Sequence, residues 1–362
     1  MSDEAAVLDA VAARRELIDD ALVERLPIEE PERLYHASRH LIDAGGKRLR
    51  PAVTLLVAEA LTGIEPPNAD YHAVPTLDGA DTGSVGIGAS ESTGTGETID
   101  VMAAAASIEA IQSFTLIHDD IMDADDLRRG VPAVHQAYDP ETAILAGDTL
   151  YAKAFEFMLE ADARPERTVE ALSELARTCT LICEGQSLDV AFEGRDDVTT
   201  DEYIHMVEQK TAVLYAAAAR APAVLLGADD ATADALYQFG LDVGRAFQIR
   251  DDVLDLTVPS EELGKQRGSD LVEGKRTAVT LHARQQGVNV EGLIDTDDLE
   301  TVDDAAIDAA VARLDDAGSI EYARTLSRDL VDRGKERLDV LPDSTARDHL
   351  RELAEYLVER GY

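Results

Sequence analysis

Residues 116–130 read LIHDDIMDADDLRRG. Five aspartates fall within eight positions of this stretch, at 119, 120, 123, 125 and 126, in a chain whose formal net charge is already -40. Like charges at such spacing repel one another and disfavour a helix. The stretch is therefore either a solvated acidic surface or a site for cations, and the choice between the two decides how the rest of the chain is interpreted.

The acidic pattern occurs twice. DDIMD at residues 119–123 recurs as DDVLD at residues 251–255, and both copies follow an apolar run with helical spacing. On a helix, residues i and i+4 lie on one face about 6 Å apart, so Asp119 pairs with Asp123 and Asp251 with Asp255. Paired carboxylates that leave coordination positions for water and substrate suit Mg²⁺ shared with a phosphate. The repetition favours two metal sites over two solvated patches.

Basic residues accompany both acidic motifs. The segment GGKRLRP (45–51) carries its cations after a flexible glycine pair. Two arginines follow the first motif, and two lysines follow the second in a glycine-containing break. The candidates are Lys47, Arg50, Arg128, Arg129, Lys210, Lys265 and Lys275. Each alone would be interpreted as a surface cation. Together they are suited to two polyanionic groups, because arginine binds oxygens bidentately and lysine supplies a point charge.

The composition predicts an all-α fold. Hydrophobic residues make up 45% of the 362 residues, which is enough for a large core, and aromatics make up only 4%. Runs rich in alanine and leucine have helical apolar spacing, and strand signals are nearly absent. We predict one domain over residues 1–362. Residues 62–100, rich in Gly, Ser, Thr and Pro, are predicted to be a disordered insertion.

The charge excludes some partners and indicates a setting. Asp and Glu number 73 against 33 Lys and Arg, and such a surface repels nucleic acid and acidic membranes. An acidic, lysine-poor chain fits a very salty cytoplasm, where ions screen its self-repulsion. The start of the chain shows no signal peptide, and no uncharged apolar run reaches the length of about 18 residues expected of a spanning helix. We therefore expect a cytoplasmic protein without a membrane span.

Six motifs in order resemble the trans-type isoprenyl diphosphate synthases, or polyprenyl synthetases. They are GGKRLRP, LIHDDIMDADDLRRG, EGQSLDV, EQKTAVL, GRAFQIRDDVLD and GKQRGSDLVEGKRT. The resemblance covers residues 34 to 277, with a compatible helical tail. It implies a bundle of about ten or more helices around a deep central cavity, with the two acidic motifs facing each other across its mouth, and a homodimer. It also implies a Mg²⁺-dependent prenyltransferase, with two to three Mg²⁺ ions per active site.

The resemblance also assigns roles, residue by residue. Asp119 and Asp123, supported by Asp120, bind Mg²⁺ on the allylic diphosphate, and Asp251 and Asp255 bind a further Mg²⁺. Isopentenyl diphosphate is assigned to Lys47, Arg50, Gln112 and Arg129. The allylic diphosphate is assigned to Arg128, Lys210, Thr211, Gln248, Lys265 and Lys275, and Gln186 and Asp189 line the site near the metals. The catalytic set is Asp119, Asp120, Asp123, Lys210, Asp251 and Lys265.

Gln112 departs from the pattern of many family members, and Phe114 bears on product length. Gln112 stands where a histidine often helps to hold isopentenyl diphosphate; its amide donates a similar hydrogen bond without adding charge. Phe114 lies five positions before the first acidic motif, where a bulky residue in the family closes the cavity floor. A single phenylalanine there resembles archaeal enzymes that make C20 geranylgeranyl diphosphate. We expect C20 as the product, with C15 or mixed short-chain products as the alternative.

Other functions leave part of the sequence unexplained. A terpene cyclase shares the acidic motif but binds no second diphosphate, so it has no use for the cations of GGKRLRP or for Arg129. A non-catalytic subunit of a heteromeric synthase need not keep intact acidic motifs and lysines. An acidic helical protein without chemistry would have to carry six ordered motifs by chance.

Overall fold

Helices make up most of the chain. The computed structural model describes residues 3–66, 69–79, 97–260, 266–294 and 302–359. Over these residues the only strands are two antiparallel pairs, each of two-residue strands, so the prediction of an all-α fold is confirmed. The chain divides into two compact units, which are described separately below.

The first unit comprises residues 1–177, 217–237 and 338–352. Its helices are α1 (Asp3–Arg25), α2 (Glu32–Asp43), α3 (Leu49–Thr62), α4 (Val101–Met122), α5 (Val134–Ala137) and α6 (Pro140–Glu160). Its strands are β1 (Val74–Pro75), β2 (Thr98–Ile99), β3 (Leu127–Arg128) and β4 (Val131–Pro132). Parts of α7 (Pro165–Glu193), α9 (Val213–Leu226), α10 (Asp230–Thr257) and α15 (Thr345–Glu359) also fall within these ranges.

Helix α4 is the centre of this unit, and it packs most extensively against α6. Every residue from Val101 to Ile111 is buried, and small alanine side chains at 103–106 allow close approach of neighbouring helices. Asp100 caps the start of α4 by accepting a hydrogen bond from the Ala103 N–H at 2.8 Å. By length and composition α4 could also cross a membrane, but 78% of its apolar window is buried inside the protein, as in a core helix.

The predicted insertion at 62–100 lies only partly within the described residues. Residues 67–68 and 80–96 are outside them. The described ends of the segment meet in the β1–β2 pair, where Val74 lies opposite Ile99.

The second unit comprises residues 178–216, 238–337 and 353–362. The helices that lie wholly within it are α8 (Thr200–Val207), α11 (Ser269–Val272), α12 (Ala278–Gln285), α13 (Asp304–Asp316) and α14 (Ser319–Arg337). A five-residue π-helical segment, Glu208–Ala212, follows α8 directly. Gly240 and Gly244 of α10 abut the backbone at Ala216 and Ala212, where a Cβ atom on either glycine would overlap the neighbouring chain.

A half-buried acid in the first unit makes the stability of the fold depend on pH. Glu174 of α7 lies 2.5 Å from the Arg220 guanidinium, which is shared with Glu170 and Asp234. Burial outweighs the attraction of this shared cation and raises the pKa of Glu174 to about 7. The folded chain therefore binds a proton here more tightly than the unfolded chain does.

Replacing Glu174 by glutamine should remove part of the pH dependence of folding. Between the ordinary pKa of 4.5 and about 7, the native protein loses stability as pH rises, because only the unfolded state ionises this carboxyl freely. From pH 4.5 to 7.5 the free energy of unfolding of Glu174→Gln, relative to the parent, should rise by about 3 kcal/mol. Urea titrations at constant high salt measure this difference, and a constant difference across the range would contradict the assignment.

Candidate active site

The first acidic motif closes helix α4. Asp119 lies half-buried in the last turn, and the exposed Asp123 ends the helix with its N–H donating to the Asp119 carbonyl at 2.8 Å. The two carboxylates are therefore carried by one turn of backbone, as the i,i+4 spacing predicts. The chain then reverses at Ala124, which has a positive φ of 55°.

Asp120, the middle aspartate, is turned inward. Its carboxylate is fully buried and accepts a hydrogen bond from Arg128 Nε at 2.7 Å, while Arg128 Nη2 also contacts Asp125 at 2.6 Å. Burial raises the pKa of the Asp120 carboxyl against the opposing attraction of Arg128. These two carboxylates bind Nε and Nη2 of Arg128.

A tight hairpin presents the two arginines. Strands β3 and β4 pair Arg128 with Val131, and the two-residue loop between them, Arg129–Gly130, has positive φ at both residues. This geometry is that of a type I′ turn, in which glycine at the second position is favoured. Consecutive arginines consequently leave the hairpin in different directions, one toward Asp120 and one toward the GGKRLRP segment.

Arg129 binds the glycine loop of GGKRLRP. Its Nη1 donates to the carbonyls of Leu41 at 2.9 Å and Gly45 at 2.6 Å, and its guanidinium lies directly against Gly46. Burial lowers the pKa of Arg129. The exposed Lys47 follows this loop immediately, so the structure brings Lys47 and Arg129, both predicted for isopentenyl diphosphate, to one place.

Arg48, between the two predicted cations of the loop, has a structural role. It is buried and donates to Asp19 at 2.7 Å, to Glu109 of α4 at 2.5 Å and to the Ile42 carbonyl at 2.7 Å. With Arg48 held inside, Lys47 is exposed on one side and Arg50 is half-buried at the start of α3. Gln112 is half-buried on α4, three residues after Glu109.

In the second unit, the π-helical segment carries Lys210 and Thr211. Lys210 Nζ contacts Asp189 of α7 at 2.5 Å, and Gln186, one turn earlier, is buried. Gly185 abuts the Lys210 backbone so closely that any Cβ atom would overlap it. π-Helical segments are rare and occur often at functional sites. The structure thus brings together Gln186, Asp189 and Lys210, which come from two of the motifs.

A chain of hydrogen bonds connects Thr211 to the second acidic motif. The Thr211 hydroxyl donates to Gln248 Oε1 at 3.1 Å, Gln248 Nε2 donates to Asp252 at 3.2 Å, and the buried Tyr203 hydroxyl donates to the other Asp252 oxygen. Burial raises the pKa of Asp252 well above its usual range. Thr211 and Gln248, both predicted for the allylic diphosphate, are therefore in direct contact.

Asp255 anchors the segment that follows the second motif. It is fully buried and accepts hydrogen bonds from the Ser269 hydroxyl at 2.8 Å and the Asp270 N–H at 3.2 Å, whereas Asp251 is half-buried. The metal role of Asp255 stays a prediction. Lys275 contacts Asp270 at 3.3 Å. Lys265 lies outside the described residues.

The supporting residues were not identified from the sequence. They are Arg48, Glu109, Tyr203, Ser269 and Asp270. Arg48 and Asp270 lie inside recognised motifs, but spacing alone does not tell which of several neighbouring charges faces the interior. Glu109 and Tyr203 carry no signal of their own, because their partners are far away in sequence.

The aspartates of the two acidic motifs suit a metal ion that takes its remaining ligands from water and substrate. Among the described residues there is no cluster of three or more His, Cys, Asp or Glu side chains that could enclose a metal alone. Mg²⁺ is commonly bound through one or two carboxylates, with water and substrate phosphates completing its shell. The paired aspartates of each motif fit that mode of binding.

Comparison with known proteins gives consistent results. The family model of polyprenyl synthetase matches residues 31–312. A geranylfarnesyl diphosphate synthase from Natronomonas pharaonis is 63% identical over 98% of both chains. The structure of a geranylgeranyl pyrophosphate synthetase from Geoglobus acetivorans is 40% identical, with a TM-score of 0.81 over 97% of this chain and 99% of that one. A polyprenyl synthase from Caulobacter crescentus, complexed with calcium and isoprenyl diphosphate, is 30% identical, with a TM-score of 0.79 over 98% of both chains.

Removing the Tyr203 hydroxyl should destabilise the fold. Tyr203→Phe leaves one oxygen of the buried Asp252 without its donor, and a buried acceptor left in this way costs about 1–3 kcal/mol in the free energy of unfolding. Denaturant unfolding at constant salt measures it. Tyr322→Phe is the control, because that ring stacks on His282 and the ring is kept. Equal losses in the two variants would contradict the anchoring role of Tyr203.

Proposed function

This chain belongs to the polyprenyl synthetase family, and we propose that it joins allylic C5, C10 or C15 diphosphates head to tail with isopentenyl diphosphate, using magnesium and releasing pyrophosphate. The observation that carries the proposal is the pair of Asp-Asp-x-x-Asp motifs, each with arginine or lysine residues close by in its own unit. One diphosphate leaves in this reaction and a second is retained on the product. The reaction therefore needs carboxylates that bind the metal on the leaving diphosphate and cations that bind both diphosphates.

Carboxylates are proposed to hold the metal on the departing diphosphate. The proposed metal ligands are Asp119 and Asp123 in the first motif and Asp251 and Asp255 in the second. Asp120 and Asp252 point inward and support the metal-binding residues rather than binding metal themselves. Magnesium, when bound, acts as a Lewis acid on the departing pyrophosphate.

Cations of the chain are proposed to bind the two substrates. The allylic diphosphate is held by Arg128, Lys210, Thr211, Gln248, Lys265 and Lys275. Isopentenyl diphosphate is held by Lys47, Arg50, Gln112 and Arg129. The contact between Arg129 and the Gly45–Gly46 loop supports the second set, because it orders the backbone that presents Lys47.

The chemistry is limited by charge separation. The allylic C–O bond breaks, its electron pair leaves with pyrophosphate, and a delocalised carbocation remains. Positive charge at Lys210, Lys265 and Arg128 is proposed to stabilise the leaving group, and a preorganised contact of this kind is worth about 3 kcal/mol by analogy with oxyanion donors. The double bond of isopentenyl diphosphate then attacks the cation, and a proton is lost, for which pyrophosphate is the proposed acceptor. Alanine-rich helices help to exclude water.

Product length is proposed to depend on Phe114. The ring stands five residues before the first acidic motif, in the half-buried part of α4, and its bulk supports C20 geranylgeranyl diphosphate as the product. The Geoglobus acetivorans enzyme, which carries that activity in its name, supports the same length. A C25 product is the second candidate, because the 63% identical relative is a geranylfarnesyl diphosphate synthase. A C15 or mixed short-chain product remains the third.

We also propose a homodimer in the cytoplasm. Helix α6 exposes an apolar face made of Ile144, Leu145, Tyr151 and Leu159, which are 44%, 57%, 37% and 54% exposed. These residues share one side of the helix by their spacing. A face of this kind on an otherwise highly charged chain supports pairing with a second copy.

Labelled substrate tests the reaction. The purified protein, in high salt with Mg²⁺, should incorporate labelled isopentenyl diphosphate into a chain with at least one of the C5, C10 and C15 primers, and chelation should stop it. Asp119→Asn should lower the rate by about 10²-fold or more, as the loss of a preorganised electrostatic contact does. Chromatography of the dephosphorylated products distinguishes C15, C20 and C25.

The control for that variant is Asp126→Asn. Asp126 belongs to the same run of aspartates, is exposed, and accepts a hydrogen bond from Gln136 at 2.9 Å, so the substitution should leave the rate unchanged. Consumption of an allylic diphosphate without incorporation of label would indicate a cyclase. Absence of incorporation by the protein alone, restored by a second polypeptide, would indicate a heteromeric subunit.

Shortening Phe114 tests the origin of product length. Phe114→Ala should lengthen the main product by at least one C5 unit, because the ring no longer limits the growing chain, whereas Phe114→Tyr keeps the ring and should keep the parent's product. Product chromatography with a common primer measures both. If Phe114→Ala makes a product of the same length as the parent, the Phe114 ring does not determine chain length.

A further inference from the structure

A cluster of rings joins helices α4 and α6 just before the first acidic motif. Phe114 and His118, one turn apart on α4, have ring centroids 4.8 Å apart in an edge-to-face arrangement. Phe114 makes a second edge-to-face contact with Tyr151 of α6 at 5.3 Å. Tyr151 in turn contacts Phe155, one turn farther along α6, at 5.2 Å. Phe114 is therefore held between a ring on its own helix and a ring on the neighbouring helix.

The α4 side of this cluster is fixed by backbone contacts. His118 Nε2 lies 3.2 Å from the Ile144 carbonyl of α6. Gly147 abuts the same imidazole, and a Cβ atom there would overlap it. The His118 ring thus occupies a space that only a glycine on α6 leaves open, and it cannot move toward α6 to release Phe114.

The α6 side of the cluster is formed by Tyr151. Its ring packs on Phe114 and Phe155, and the side chain is 37% exposed. Removal of the Tyr151 ring would take away the aromatic contact that Phe114 makes with α6. Without the edge-to-face contact with Tyr151, the Phe114 ring can adopt another staggered rotamer.

We propose that Tyr151 is a positioning residue for product length, holding Phe114 in the rotamer that sets the length of the chain made. This inference rests on the proposed function and on the role of Phe114 in it. Tyr151 acts through Phe114 and not by touching the growing chain. His118 holds Phe114 on the opposite side, in the residue directly before Asp119.

The test is the product distribution of Tyr151→Ala. With a common primer and Mg²⁺, the ratio of the next longer product to the parent's main product should rise by about 2- to 10-fold, the change that corresponds to loss of one aromatic pair. The rate of the first condensation should stay within about twofold, because no diphosphate contact is altered. Tyr151→Phe keeps the ring and should keep the parent's distribution.

A double-mutant cycle separates positioning from direct contact. In the Phe114→Ala background, Tyr151→Ala should have no further effect on length, because the ring it positions is gone. An additive second lengthening would overturn the proposal by showing that Tyr151 limits the chain itself. An unchanged product distribution in the single Tyr151→Ala variant would overturn it as well.

Two controls keep the result interpretable. Leu159→Ala removes another side chain from the exposed apolar face of α6, about two turns beyond Tyr151, and should leave product length unchanged. Light scattering on every variant follows the oligomeric state, because both residues belong to the proposed dimer face. If Tyr151→Ala does not fold, Tyr151→Leu removes the ring while keeping apolar bulk, and the same shift is expected. Failure of the parent to incorporate isopentenyl diphosphate would refute the proposed function, whereas a working parent with unchanged variants would refute this inference alone.

Discussion

The structure depends on separating adjacent carboxylates at each acidic motif. Three aspartates in one turn cannot all face the same way on a helix, and in both copies the middle one turns inward. Asp120 is fully buried and Asp252 is 5% exposed, while Asp119 and Asp251 stay half-buried. A buried carboxylate is stable only with hydrogen-bond partners that match it. The middle residue thus anchors the turn in both motifs, and in the second motif the fully buried Asp255 is held as well, by Ser269 and the Asp270 N–H.

The two anchors use different chemistry. Asp120 is held by the cation Arg128, and Asp252 by the neutral donors Tyr203 and Gln248. The positive charge of Arg128 offsets the negative charge of Asp120. Tyr203 and Gln248 are neutral and cannot offset a charge on Asp252, so burial raises the pKa of Asp252. Arg128 consequently has two tasks in the proposed reaction: it balances the charge of Asp120, and it is proposed to bind the allylic diphosphate.

Much of this arrangement could be predicted from the sequence, and the rest could not for physical reasons. Helical spacing identified the paired aspartates, and six ordered motifs identified the cations that accompany them. Nothing local indicates that Arg48 is buried while Lys47 is exposed, because the choice is made by Glu109, which is distant in sequence. In the same way Ser269 and Tyr203 become partners of the second motif only when the chain folds. Spacing predicts which residues share a face, and tertiary contacts decide which of them is buried.

The scarcity of aromatic residues gives meaning to where they occur. With aromatics at 4% and no tryptophan, the core is built mainly from alanine, leucine and valine, which fill space and allow helices to approach closely. Small side chains of this kind cannot close a cavity at one defined depth. An aromatic ring can close it, but only if neighbouring side chains fix the rotamer of the ring. On α4 and α6 three aromatic side chains and an imidazole form a continuous series of ring contacts. Phe114 and His118 of this cluster precede Asp119 on α4, so the ring contacts lie beside the turn where the chemistry is proposed to begin.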